Sequence, residues 1–298
     1  MSGEAAIERA LADAGLPTSI RSLRELSGGC IHRVCEVTLD DDSRIVAKMN
    51  RADQVLIFRE EAAGLTALAE TNTVLVPRPL SVGAHGDTAI LLMTALAPAP
   101  GTATDRAWRS LGEELAALHA VDVGRRYGFH ADNHLGSTFQ PNTFCDDWVD
   151  FNARYRLGFQ VELGRQNGLI GRDEARRLEM LIDRLGEFIP ASPKPALLHG
   201  DLWSGNALPT VDEEGEARIA VIDPATSIGD GWADIAMMKL FGGFPPSCFD
   251  AYARAVDDHD RVESRIVVYQ LYHVLNHVNI FGRGYAGQAM SLVGTLGC

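Results

Sequence analysis

Positive charge is scarce in this sequence: 27 lysines and arginines stand against 40 aspartates and glutamates, a formal net charge of −13. A general nucleic-acid binder needs a basic stripe to replace phosphate counterions, so that class is excluded. A small phosphorylated ligand is not, because glycine-loop amides and one or two cations suffice to hold it. Cysteine is sparse as well. The five (Cys30, Cys35, Cys145, Cys248, Cys298) are odd in number and scattered, with neither disulfide-framework nor zinc-ligand spacing, so reduced thiols are expected. No apolar run approaches bilayer length, and the opening MSGEAAIERALADAGL is amphipathic without a signal-peptide hydrophobic region. The expectation is a cytoplasmic protein with neither membrane nor nucleic-acid partners. Internal repeats and low-complexity tracts are absent too. What is present is 46% hydrophobic residues over 298 positions, enough for one large or two modest domains with full cores.

The most informative stretch runs from Leu197 to Asp234: LLHGDLWSGNALP, an acidic gap, then AVIDPATSIGDGWAD. Asp201 precedes Asn206 by five residues, and Asp223 ends the apolar run from Ile219 to Ile222. Between them, Asp212 to Glu216 is a polar turn with a glycine, so the segment reads as a hairpin that returns Asp223 to Asn206. Transfer of the terminal phosphoryl of ATP needs a carboxylate to receive the hydroxyl proton and oxygen ligands for Mg2+. Asp201 is the candidate base, and Asn206 and Asp223 are the candidate metal ligands.

Nearer the N-terminus, Gly28 and Gly29 precede a strand over 34–39, an acidic turn, and a second strand ending in Ala47-Lys48. A glycine pair alone marks only a turn. A lysine on the following strand fits a nucleotide site in which the cation meets phosphate and a helix glutamate holds it. From 53 to 71, Phe58, Glu61, Leu65 and Leu68 recur at helical spacing, which puts Glu61 rather than Glu60 on the buried face as the Lys48 partner. Pro98, Pro100 and Gly101 then break the chain, giving a boundary near residue 96 between a lobe of residues 1–96 and one of 97–298. The second lobe reads as mostly helical. Its insert YGFHADNHLGSTFQPNTFCDDW is rich in amides, histidine and aromatics. Either it faces a polar substrate through Asn133, Gln140, Asn142 and Trp148, or it packs and caps the helix over 147–160. A Tyr272, Asn276, Asn279, Arg283 stripe in the C-terminal tail reads as hydrogen-bonded packing.

The pattern H-G-D-x-x-x-x-N, a strand, then D-P resembles the catalytic loop and metal-binding Asp of protein-kinase-like enzymes. More narrowly, LLHGDLWSGN, VIDPA, MKLFGGFP, the G-F…Q-x-N…D-W insert and YQL…LNH.N.FGR.Y resemble the fructosamine kinase (ketosamine-3-kinase) family from about Gly28 to Tyr285. The resemblance implies an α+β, two-lobed protein-kinase-like fold. It implies ATP and Mg2+, and phosphorylation of the sugar of a small or protein-bound ketosamine at its C3 hydroxyl, a deglycation repair activity. In that scheme Asp201 is the base, Asn206 and Asp223 hold the metal, Lys48 and Glu61 position phosphate, and the backbone of Thr94, Ala95 and Leu96 meets adenine. Some relatives resemble this chain in having Cys at position 30, which is either redox-active, linking two chains of an otherwise monomeric protein, or inert. Thr226-Ser227-Ile228 and Trp232 depart from the family pattern and bear on the acceptor rather than on phosphoryl transfer. The competing readings are a kinase of the same fold acting on a choline-like or aminoglycoside hydroxyl, a catalytically inactive nucleotide-binding regulator, and a metal hydrolase using His199 and Asp201.

Overall fold

The computed structural model describes residues 3–26, 32–99, 103–212 and 215–298. The chain forms two compact units, one of residues 1–107 and 205–224, the other of residues 108–204 and 225–298.

The first unit is built on an antiparallel sheet of β1 (Ile20–Glu25), β2 (Arg33–Leu39), β3 (Arg44–Arg51), β4 (Pro79–His85) and β5 (Thr88–Thr94), in the order β1-β2-β3-β5-β4. Alternation along β2 and β3 sends Cys35, Val37, Leu39, Ile45, Ala47 and Met49 to one face. There they join Ile90 and Leu92 of β5 and Ala6, Ile7, Ala10 and Leu11 of helix α1 (Gly3–Asp13) in a closed apolar cluster. Helix α2 (Val55–Glu70) packs on β4 and β5. Covered on both sides, β5 is the continuous apolar run AILLM with Ala89 to Leu92 wholly buried.

A hairpin of Ala207–Val211 and Ala217–Val221 completes this unit, pairing Ala207 with Val221 and Val211 with Ala217. Its first strand also pairs with Ala97–Pro98, and the Val221 N–H donates to the Leu75 carbonyl at 2.8 Å. These backbone bonds are why residues 205–224 belong to the first unit, whereas the reading from sequence places everything after residue 96 in the second.

The second unit is mostly helical: α3 (Asp105–Ala120, entering from the first unit), α4 (Trp148–Asn152), α5 (Gly158–Gln166), α6 (Arg172–Asp183), α7 (Leu185–Phe188), α8 (Trp232–Leu240), α9 (Pro246–Ala255), α10 (Val262–Phe281) and α11 (Ala286–Thr295). Between α4 and α5 the chain makes a π-helical turn, Ala153–Leu157. Helix α10 is the axis: Val268, Leu271, Val274, Leu275 and Val278 are buried against α5, α8 and α11. A two-stranded ladder pairs Pro195–Leu198 with Ser227–Asp230, and a small one pairs Asn133–Leu135 with Thr138–Gln140. Among the described residues no helix is long and apolar enough to cross a membrane.

Candidate active site

Lys48 lies opposite Leu91 in the β3–β5 register, on the sheet face away from α1. That is the face α2 covers, and the helical period of α2 turns Phe58, Glu61, Leu65 and Leu68 inward. The Lys48 Nζ therefore meets the Glu61 carboxylate at 3.0 and 2.8 Å and Asp223 Oδ1 at 2.9 Å. Lys48 and Glu61 are buried, whereas the Asp223 side chain keeps 42% of its surface exposed. Burial works against the ammonium, but the Glu61 and Asp223 carboxylates outweigh it, so the Lys48 pKa rises above the ordinary lysine value. A cation is thus held in place with one of its two carboxylates still open to a ligand.

Asp223 ends the hairpin. The Ile222 N–H donates to the Asn206 carbonyl at 3.0 Å, which brings the two candidate metal ligands to the same open end. Asp223 adopts φ +55°, a left-handed conformation uncommon outside glycine and better tolerated by Asp and Asn than by most residues. Such local strain persists where the surroundings over-determine it, as at functional sites.

In the second unit, the strand Pro195–Leu198 delivers the chain into His199-Gly200-Asp201. The buried Asp234 carboxylate, in the first turn of α8, fixes this loop: Oδ2 accepts the His199 N–H and Oδ1 the Gly200 N–H, both at 2.8 Å. His119 approaches Asp234 through Nε2 at 3.3 Å and pairs through Nδ1 with the Tyr252 hydroxyl at 2.9 Å. Burial pushes the Asp234 carboxyl up, but the hydrogen bond and charge of His119, the charge of His199 and the Gly200 amide outweigh it and hold it below the usual carboxylate range. Gly200 sits at φ +84°, and a Cβ there would lie 2.1 Å from the Ala225 carbonyl oxygen, so only glycine fits. The Asp201 N–H donates to His199 Nδ1 at 3.3 Å, and the Trp203 N–H donates to the Asp201 carbonyl at 3.1 Å. Buried His199 thus shapes the loop from within, and Asp201 emerges half-buried from a turn whose backbone is tied at each step.

Of the two readings the sequence left open for the polar insert, the structure shows the packed one. Asn133, Gln140, Asn142 and Trp148 are all buried. Gln140 Nε2 donates to Asn133 Oδ1 at 2.8 Å and to the Ala225 carbonyl, and its Oε1 accepts from the Tyr272 hydroxyl at 2.6 Å. Asn133 donates to the Thr226 carbonyl, and Asn142 links Asn133 to the Arg156 guanidinium. Arg156 lies over the Phe151 and Tyr272 rings. These amides are supports that hold residues 225–226 in place, and not ligand-facing groups, because their polar atoms are taken up by one another. Trp148 is corrected in the same way: its indole N–H donates to Tyr269, whose hydroxyl donates to buried Asp230, and its ring stacks on Phe151 at 5.2 Å. Truncation of so buried an aromatic leaves a cavity and takes one of its two hydrogen bonds from the Tyr269 hydroxyl. Trp148→Ala is expected to cost about 3 kcal/mol of stability, measured by denaturant unfolding; an unchanged midpoint would contradict this placement.

Exposed aromatics here are Phe139 and Phe144 of the insert and Trp203, two residues beyond Asp201, whose place in LWSGN was its only sequence signal. Thr94 ends β5 with its N–H bonded to the Arg78 carbonyl, and Ala95 and Leu96 follow half-buried before Ala97–Pro98. Gly28, Gly29 and Cys30 lie outside the described residues.

The fructosamine kinase family model matches residues 4–296. A Synechocystis protein named a probable ketoamine kinase is 39% identical over 94% of this chain and 91% of its own length. The chloroplastic protein-ribulosamine 3-kinase of Arabidopsis thaliana is 36% identical over 94% of this chain and 83% of its own. The crystal structure of a candidate fructosamine-3-kinase from Haemophilus somnus 129PT superposes with a TM-score of 0.86 at 26% identity, covering 97% of this chain and 96% of that one. It shares the protein-kinase-like fold. The chain belongs to the fructosamine kinase family.

Proposed function

We propose that the protein transfers the terminal phosphoryl group of ATP to a sugar hydroxyl, at C3, of a fructosamine or ribulosamine, in the service of deglycation repair. The observation that carries the phosphoryl-transfer reading is the buried Lys48 ammonium, 2.8 Å from Glu61 and 2.9 Å from the half-exposed Asp223. In this reading Lys48 holds phosphate oxygens, Glu61 holds Lys48, and the backbone near Ala95 and Leu96 receives adenine. Asn206 and Asp223 would hold magnesium. One amide and one open carboxylate at the end of a hairpin fit an ion that takes one or two protein oxygens and completes its shell with phosphates and water. When bound, magnesium neutralises charge on the phosphates. Asp201 orients the acceptor hydroxyl and takes its proton at a carboxylate oxygen.

The acceptor assignment is drawn from the family and from the names of the relatives. A ketosamine carries several hydroxyls and an amine that is cationic at neutral pH. With Trp148 inside the fold, exposed Trp203, two residues beyond Asp201 and carrying the ring type that holds a cation best, is suited to that role. Magnesium-loaded protein assayed for ATP-dependent phosphate incorporation is expected to act on fructosamines or ribulosamines, with the phosphate located at C3 by NMR. Activity on choline or an aminoglycoside with none on a ketosamine would overturn the acceptor and keep the kinase. Hydrolysis or transfer on no acceptor at all, with nucleotide still bound, would favour the regulator.

A further inference from the structure

His32 has no part in the site described so far, yet its ring lies on the side of β3 that carries Lys48. It follows the glycine pair in sequence, immediately before β2, and the β2–β3 register brings it beside Asn50. Its ring packs on Phe58 of α2 with centroids 4.9 Å apart. The Asn50 side chain has a determined orientation: its Oδ1 accepts the Arg51 N–H at 2.8 Å, so its NH2 group is the one that meets His32 Nδ1, also at 2.8 Å. An amide NH2 can only donate. Nδ1 must therefore accept, and the neutral ring carries its hydrogen on Nε2. Burial, with Lys48 nearby and Asp223 acting in the opposite sense, pushes the ring pKa down to about 4, so the ring is neutral at physiological pH. Among the described residues the ring's hydrogen bond is the one through Nδ1 to Asn50, and His32 is half-buried. The result is an oriented, uncharged N–H donor on the face of β3 that carries the Lys48 ammonium of the candidate phosphate site.

We propose that His32 is a further nucleotide-binding residue, donating its Nε2–H to a phosphate oxygen of ATP alongside Lys48. The proposal rests on the nucleotide-binding reading above and deepens it. A neutral donor strengthens phosphate binding without adding a second cation beside Lys48, and Asn50 acts as its positioning residue by fixing the tautomer. Phosphate is the partner the surroundings favour, because an oxygen anion complements both the Lys48 ammonium and an N–H donor.

Two measurements test it on the full chain. In long-range 1H–15N spectra of histidine-labelled protein, with His32 assigned by its loss in His32→Gln, the free protein is expected to show the Nε2–H tautomer. The Nε2 resonance is expected to move on addition of magnesium AMP-PNP and to stay in place with adenosine. An Nδ1–H tautomer, or a resonance indifferent to AMP-PNP, would overturn the proposal. In calorimetric titrations, His32→Phe, which keeps a ring on Phe58, is expected to weaken AMP-PNP binding about tenfold, the worth of a hydrogen bond to a charged group, and to leave adenosine binding unchanged. Equal weakening for adenosine would make His32 a structural residue and overturn the proposal, as would unaltered AMP-PNP affinity. If wild-type protein binds no AMP-PNP, the nucleotide reading falls and this inference with it; if wild type binds and His32→Phe binds equally well, only the role of His32 falls.

Discussion

Asp201→Asn is expected to lower turnover on the best acceptor by about a hundredfold to ten-thousandfold, the range spanned by loss of a positioned general base. The substitution keeps the size and shape of the side chain and removes its negative charge, and with it the capacity to accept a proton. The loop around it is held by backbone groups: the His199 and Gly200 amides on Asp234, the Asp201 amide on His199, and the Trp203 amide on the Asp201 carbonyl. These bonds are made by backbone groups and persist in the variant, and AMP-PNP affinity is expected to stay near wild type. Single-turnover phosphate transfer, read beside nucleotide affinity, separates the chemical step from binding. Near-normal transfer by the variant would remove Asp201 from the role of base.

Legibility in the sequence followed the range of the interactions. Lys48 and Glu61 could be paired because alternation in β3 and the helical period of α2 each name the buried position, and both are local rules. The hairpin that joins Asn206 to Asp223 was readable from two apolar runs and a polar turn. Asp234 was not, because its partners His199 and His119 lie 35 and 115 positions away, and a carboxylate in the first turn of a helix looks like an ordinary N-terminal acid. The insert was ambiguous for a chemical reason. Asn133, Gln140 and Asn142 would have the same composition whether they faced a sugar or one another, and only the fold shows that their donors and acceptors are spent internally. Trp148 carries the same lesson: an indole with a buried hydroxyl partner and one with a ligand are identical in sequence. The boundary at residue 96 missed the return of residues 205–224 because that segment is anchored by backbone bonds to Leu75 and to residues 97–98, which carry no side-chain signature.

Lys48→Met is expected to abolish measurable transfer and also to destabilise the first unit by about 3–5 kcal/mol, the cost of leaving a buried charge without its partner. The charge left behind is Glu61, which is buried and already pushed up to about 7 by burial, with Asp223 acting in the same direction and Lys48 against it. Asp223 contributes less to the penalty because its carboxylate reaches solvent. The pH dependence follows in sign. A carboxyl whose folded pKa lies above its unfolded value contributes stability below the unfolded value and loses it as pH rises through the folded one. Lys48→Met is therefore expected to be less impaired at pH 5 than at pH 8, when stability is compared with wild type at each pH. Glu61→Gln removes the charge at its source, so the double variant Lys48→Met/Glu61→Gln is expected to regain much of the stability lost in Lys48→Met while remaining inactive. A double-mutant cycle of denaturant unfolding energies reads this directly: the two losses should sum to more than the loss in the double variant. Additive losses with no pH dependence would mean that Glu61 is not held by Lys48, and the account of how the ammonium is positioned for phosphate would fail with it.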